Sequence, residues 1–305
     1  MDSEELEKYM RAGEIAFEAK KLAERIVKPG TPILKIAEEI EGLIRSRGAA
    51  PAFPTNISIN HVAAHRTPYV GDTELVPEGA VVKVDIGVHV DGYIADTAIT
   101  IVLDDRFEPL AEAVKNALHK ALKRVRAGAR FRDIGFIIER EIKAAGFKPI
   151  KNLSGHSLGR YQIHGGEYIP NYRDALAIGR FRSGRAYAIE PFGTNGRGYV
   201  VEDRSSIQIY ALRSGRGSVS GFEAEVLNVI RSRFSTLPFC ERWLVDLGDI
   251  DAVRAALKRL VVKKILTQYP VLIEAGKGMV AQFEETIYVT SSGAYITTNP
   301  EIKTQ

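Results

Sequence analysis

Apolar positions fall at helical spacing over residues 3–28, where Leu6, Met10, Ile15, Leu22 and Ile26 mark one side and Pro29-Gly30 stops the run. The same spacing predicts a second helix from Thr31 to about Arg47, ended by Gly48. Pro51-Ala52-Phe53-Pro54 then opens an extended stretch, because each proline disfavours helix in the residue before it. Over residues 81–102 the period changes to two. Val82, Val84, Ile86 and Val88 point one way, while Lys83, Asp85, Gly87 and His89 point the other. Asp91-Gly92 turns the chain and Tyr93 to Val102 returns it, completing a β-hairpin. Helical patterns follow at about 108–127 and 131–146, and short strands punctuated by Gly and Pro run on to Asn195. Between Gly196 and Thr267 two helical segments, about 220–234 and 249–263, flank a Thr236-Leu237-Pro238-Phe239 turn. Residues 278–290 and 294–298 are β-rich again. The pattern predicts an α+β domain built from residues 1–195 and 268–305, interrupted by a mainly helical insert over 196–267.

Composition narrows the class. A chain of 305 residues with 45% apolar residues can bury a substantial core, and 26% charged residues give no sign of disorder. No apolar run reaches the ~18–20 residues of a membrane span. The acidic start Met1-Asp2-Ser3-Glu4-Glu5 argues against a signal peptide. The single cysteine, Cys240, cannot form an internal disulfide and fits a reducing compartment, so a cytoplasmic protein is expected. A net charge of +4 and a pI near 9.0 are mildly basic. Arginines and lysines are spread along the whole chain, which favours a solvated cationic surface over a nucleic-acid site.

The hairpin brings candidate chemistry with it. With an even loop at Asp91-Gly92, Asp85 and Asp96 share one sheet face as opposite or diagonal neighbours. Two carboxylates so close repel unless a cation or a proton sits between them. Three further features add donors: Ser154-Gly155-His156 in a short polar segment, Ala188-Ile189-Glu190-Pro191 with small neighbours beside the carboxylate, and Gln282-Phe283-Glu284-Glu285-Thr286. In the last, Glu284 shares its strand face with Gln282 and Thr286, and Glu285 faces away among apolar neighbours. Four carboxylates and one imidazole are mostly hard donors, which favours Mn²⁺, Fe²⁺ or Co²⁺ over a closed thiolate-rich zinc site. His61, His89 and His119 have no supporting motif and read as surface or structural residues. The glycines of 193–198 and 276–278 match no phosphate loop and read as turns.

The series Asp85, Asp96, His156, Glu190 and Glu284 resembles the five-ligand dinuclear site of the pita-bread-fold metallopeptidases. Pro51-Ala52-Phe53-Pro54-Thr55-Asn56 followed by Ala63-Ala64-His65-Arg66-Thr67-Pro68, and Gly155-His156 followed by Ile163-His164-Gly165-Gly166, resemble the type II methionine aminopeptidases. So do Ala188-Ile189-Glu190-Pro191-Phe192-Gly193 and the insert segment Thr236-Leu237-Pro238-Phe239-Cys240-Glu241-Arg242-Trp243-Leu244. Type I enzymes lack such an insert, and the absence of a charged N-terminal extension suggests the archaeal type. The resemblance covers nearly the whole chain. It implies a pita-bread fold and removal of the initiator methionine from nascent proteins with a small second residue. It also implies two divalent ions, among Co²⁺, Mn²⁺, Fe²⁺ and Zn²⁺, held by the five residues, with Asp96 and Glu284 bridging and a hydroxide between the metals. Glu190 would shuttle the proton, His164 would stabilise the oxyanion, and His65 would position the peptide or assist the leaving amine. Phe53, Ile163 and Tyr269 would line the methionine pocket. The implied partners are nascent polypeptide N-termini, with transient ribosome contact, for a monomer.

The pattern departs from the family at three places. Glu285 stands where a His commonly follows the last ligand, Gly165-Gly166 replaces Ala-Gly, and Arg66 replaces a more usual aromatic, which would alter the pocket rim. Two other functions compete. A prolidase-like Xaa-Pro aminopeptidase usually carries a separate N-terminal domain that this chain is too short to hold. A non-catalytic relative that binds RNA or protein typically loses ligands, and all five candidates are retained here.

Overall fold

The computed structural model describes residues 3–213 and 218–302. Of the acidic start, Met1 and Asp2 lie outside those residues, while Glu4 and Glu5 stand in the first turn of the first helix. The first helix, α1 (Ser3–Ile26), buries a broader face than its large apolar residues alone mark. Ala12, Ile15, Ala16, Ala19 and Ala23 are fully buried, whereas Met10, Leu22 and Ile26 are partly covered. Small side chains let the helix close on the strands beneath it, and at Gly13 a Cβ would collide with the Thr297 carbonyl. α2 (Ile33–Ser46) follows its spacing: Ile33, Ile36, Ile40 and Ile44 are all inside, each worth ~1.5–3 kcal/mol of burial.

The proline-rich stretch is β1 (Ala50–Ile59), followed by β2 (Val62–Ala64). The hairpin forms as expected from β3 (Val81–Val90) and β4 (Tyr93–Val102). Its tip residues Asp91 and Gly92 have φ of 51° and 87°, the left-handed pair a two-residue turn requires. β1 pairs with the other edge of β3. α1 and α2 cover the Val82, Val84, Ile86 and Val88 face of this sheet, leaving the other face for Asp85 and Asp96.

A second pair of helices, α3 (Glu108–Leu122) and α4 (Phe131–Ala144), covers a second sheet. α3 ends short of residue 127, in turns that tuck Val125 into the core before Gly128. The strands β5 (Lys148–Pro149), β6 (Ser154–Leu158), β7 (Tyr168–Pro170), β8 (Arg185–Ile189) and β9 (Phe192–Thr194) follow.

The segment expected as an insert contains β10 (Val200–Asp203), β11 (Ile209–Leu212), α5 (Gly221–Phe234), β12 (Phe239–Cys240), α6 (Ile250–Val262) and β13 (Leu266–Tyr269), and β14 (Val271–Glu274) comes next. β10 pairs with β14, which pairs with β2, so residues 200–203 belong to the surrounding sheets. A separate core of Val226, Leu227, Ile230, Phe239, Val253 and Leu257 forms between α5, α6 and a three-stranded sheet ordered β12-β11-β13. That sheet was not legible in the helical spacing. The insert is fastened to α2 by the buried Arg242 guanidinium, which donates to both oxygens of Glu41 at 3.0 and 2.7 Å.

The last strands are β15 (Val280–Gln282), β16 (Glu285–Val289) and β17 (Ala294–Ile296). The single run expected over 278–290 is broken at Phe283-Glu284, because β15 pairs with β9 while β16 joins a sheet ordered β17-β16-β8-β6-β7. Among the described residues no helix is long and apolar enough to cross a membrane.

Candidate metal centre and active site

Across the hairpin Asp85 faces Ala98 and Asp96 faces Gly87, so the two aspartates are diagonal neighbours on the face turned away from α1. Gly87 is required between them: a Cβ there would overlap the Phe53 ring. Glu284 sits in the break between β15 and β16, where it bridges to Ala98, its N–H donating to the Ala98 carbonyl at 3.0 Å. Threonines fasten this contact. Thr97 Oγ1 donates to the Glu284 carbonyl at 2.7 Å, Thr100 Oγ1 to the Gln282 carbonyl at 2.6 Å, and Thr286 Oγ1 accepts from Asp96 N and donates to Asp96 O, both at 2.8 Å. Thr286 was placed on Glu284's strand face from the sequence, whereas Thr97 and Thr100 were missed there, their only signal being a hydroxyl on an otherwise apolar strand.

His156 lies on β6 opposite Ala188, whose methyl leaves the ring room. Its Nε2 is 3.6 Å from Asp96 Oδ2 and 3.4 Å from Glu190 Oε1. One ligand atom each from Asp96, His156 and Glu284 lie within 4.8 Å of one another. All five residues line one cavity of about 410 Å³. The same cavity is lined by Phe53, His65, Ile163, His164 and Tyr269, so the structure brings every sequence-predicted site residue together. Asn56 and Leu272, and Ile209 and Pro238 from the insert, also line it and were not singled out in the sequence. Arg66 does not; its guanidinium pairs instead with Asp72 at 2.7 Å and Glu74 at 2.5 Å. Glu285 points away and has a partner in Lys20.

The histidines are arranged around Tyr269. Its ring meets His65 edge-on at 5.5 Å and His164 at 6.3 Å, and His164 in turn stacks edge-on against His156 at 4.7 Å. His65 has φ of 64°, a conformation unusual for a side-chain-bearing residue and concentrated at functional sites. Its Nδ1 is 3.1 Å from the Pro270 carbonyl. Only a protonated Nδ1 can bond there, which leaves Nε2 as an acceptor in the neutral ring.

Burial governs the electrostatics. It pushes Asp85 up to about 7, and raises Asp96, Glu190 and Glu284 well above the usual carboxylate range, with mutual repulsion adding to each of these three. It holds His156 down to about 3 and His65 to about 4, and lowers His164. The cluster therefore resists ionisation unless positive charge enters it. Among the described residues Asp85 Oδ1, Asp96 Oδ1 and Glu284 Oε1 are buried with no hydrogen-bond partner, oxygens of the hard type that divalent cations take. The residues fit a metal.

Two helix-covered sheets whose carboxylates meet beneath one cavity define the class: this is the pita-bread fold. The chain belongs to metallopeptidase family M24, whose model matches residues 7–291, and divalent-metal dependence goes with that membership. It is 45% identical to the methionine aminopeptidase of Saccharolobus solfataricus, over 98% of this chain and 99% of that one. Among solved structures a thermophilic Arx1 superposes with a TM-score of 0.87 at 18% identity, covering 99% of this chain and 92% of that one. The methionine aminopeptidase of Thermotoga maritima superposes with a TM-score of 0.72 at 22% identity, covering 98% of each. At those identities the two structures attest the fold alone.

Proposed function

We propose that this chain is a methionine aminopeptidase that removes the N-terminal methionine of new proteins when the second residue is small. The observation that carries the reading is the cavity itself: four carboxylates and an imidazole converge beside the apolar surfaces of Phe53, Ile163 and Tyr269. The near-full-length identity to the archaeal enzyme supports it. Asp85, Asp96, His156, Glu190 and Glu284 would hold two divalent ions, among Co²⁺, Mn²⁺, Fe²⁺ and Zn²⁺. Such ions polarise the scissile carbonyl and make water nucleophilic at neutral pH.

The remaining work falls to the chain's own groups. Glu190, whose carboxylate reaches to 3.4 Å from His156 Nε2 inside the cavity, takes a proton from the attacking water and passes it to the leaving amine. His164 donates an N–H to the carbonyl oxygen as negative charge develops on it. His65, neutral and with Nε2 bare, accepts a backbone N–H from the peptide and so positions it. That acceptor state favours positioning over proton delivery to the leaving group. A monomer is the working unit of this reading. Nascent N-termini in the cytoplasm, met through transient ribosome contact, complete the reading.

Metal-free protein restored singly with each ion, and assayed on Met-Ala-Ser and on Ala-Pro peptides, tests this. Restored cleavage of Met-Ala-Ser alone is expected. Cleavage of Ala-Pro peptides in preference would establish the prolidase-like alternative, and no cleavage with any ion would establish a binding protein.

A further inference from the structure

We propose that Asn56 is a specificity-determining residue that receives the free α-amino group of the substrate's first residue; the proposal rests on the aminopeptidase reading above. β1 and β3 pair as Phe53↔Gly87 and Asn56↔Asp85, so three steps along β1 match two along β3. In a regular strand, positions three apart point to opposite faces. The bulge cancels that parity, and both Phe53 and Asn56 line the cavity. Bulges that re-aim a side chain are concentrated beside active sites.

The side chain is then oriented. Asn56 Nδ2 donates to the Pro54 carbonyl at 3.0 Å, and an acceptor there can be met only by the amide nitrogen. Oδ1 is thereby fixed as the free end of the amide. It is buried, has no hydrogen-bond partner among the described residues, and belongs to a residue 3% exposed. Its register partner Asp85 carries a second orphaned oxygen, Oδ1. A buried carbonyl oxygen left unpaired is costly, so the group that occupies the cavity should supply a donor.

The chemistry of that donor follows from its surroundings. An amide oxygen accepts hydrogen bonds without adding a negative charge to a cluster that already holds four carboxylates. It suits a small N–H donor entering beside Asp85. Phe53, carried into place by the same bulge, presents an aromatic face to whatever is attached to that donor. A free amine on the carbon that bears the side chain is what distinguishes a chain's first residue from every internal one.

Direct calorimetric binding of L-methioninamide and of its des-amino analogue 4-(methylthio)butanamide to metal-loaded protein provides the test, with no dependence on turnover. In the wild type the amine-bearing ligand is expected to bind more tightly. Asn56→Leu should reduce that preference about tenfold, the scale of one hydrogen bond to a charged group. Bound metal should stay unchanged and affinity for the des-amino ligand nearly so. Equal weakening of both ligands, or an unchanged preference, would overturn the proposal. If Asn56→Leu does not fold, Asn56→Ser, too short to reach, carries the same measurement. A wild type that prefers the amine yet cleaves no Met-peptide would remove the activity reading and leave the amine site standing.

Discussion

Lys20 Nζ lies 2.7 Å from both carboxylate oxygens of Glu285, and neither side chain is more than 5% exposed. The pair joins α1 to β16 on the side of the hairpin opposite the cavity. Thr97 Oγ1 at 3.1 Å, Thr298 Oγ1 at 2.5 Å and Asn299 Nδ2 at 2.8 Å complete the carboxylate's shell. Glu285 follows Glu284 directly, so whatever holds one holds the other in register.

Lys20→Met should therefore lower stability by ~3–5 kcal/mol, since it leaves a buried carboxylate without its cation. Lys20→Met with Glu285→Leu should regain most of that loss, because no charge is then stranded. Chemical denaturation of the three proteins checks it. A double variant no more stable than the single one would mean that shape rather than charge makes the contact.

The five-residue cluster and the two outer histidines should separate by metal content. Glu284→Ala and His156→Ala should come through purification with less bound metal. His164→Ala should keep its metal and lose ~10²–10³-fold in kcat, the range for one oxyanion donor. Metal analysis alongside steady-state kinetics decides it, and metal loss in His164→Ala would make that residue a ligand.

Asp85 gives a pH signature. Burial raises it to about 7, from 3.8 in an unfolded chain. Between those values the unfolded state has released the proton and the folded state has not, so its contribution to metal-free stability falls as pH rises. Metal-free Asp85→Asn escapes this. Relative to wild type it should gain on the order of 1–3 kcal/mol between pH 4 and pH 8. Urea melts of chelator-treated proteins measure the gain. No gain would mean that Asp85 ionises without a cation, and would remove the electrostatic case for one.

The hairpin, both halves of its ligand pair and the helices were legible because each follows a local period. Glu284's face was also legible, since Ala98 bridges to it across the strand break and keeps the alternation. What was hidden depends on distant partners. Glu285's cation is far away in the first helix, and the bulge that turns Asn56 inward exists only through pairing with β3. The buried face of α1 was only partly legible, through Ile15, because its alanines carry a weak apolar signal although they set how closely the helix packs.

Selectivity for the second residue should follow from the crowding at the cavity's insert side, where Ile209 and Pro238 stand. Met-Ala-Ser should be cleaved at least ~10²-fold faster than Met-Asp-Ser, about 2.7 kcal/mol of discrimination. An aspartate there is larger and brings a further negative charge toward four carboxylates. Paired peptide kinetics measure the ratio, and equal rates would remove the constriction from this account.

Asp203 and Val271 face each other as the closing pair of β10 and β14. The chain that leaves at Arg204 returns at Pro270, so this segment is joined to the rest through one stem, as a graft is, and is pinned back by Arg242 on Glu41. Loop closure grows only slowly with length, by ~0.6 kcal/mol per doubling, so such a graft can lengthen or shrink at little thermodynamic penalty to its host. Glu274 ties the stem shut on its own, its carboxylate accepting N–H groups from Arg197, Gly198, Gly276 and Gly278. The carboxylates and His156 belong to the stem, whereas Ile209, Pro238 and Tyr269 belong to the graft. One wall of the cavity, at Ile209, Pro238 and Tyr269, can therefore change with the graft while the carboxylates, His156 and the Phe53 and Asn56 wall stay with the stem.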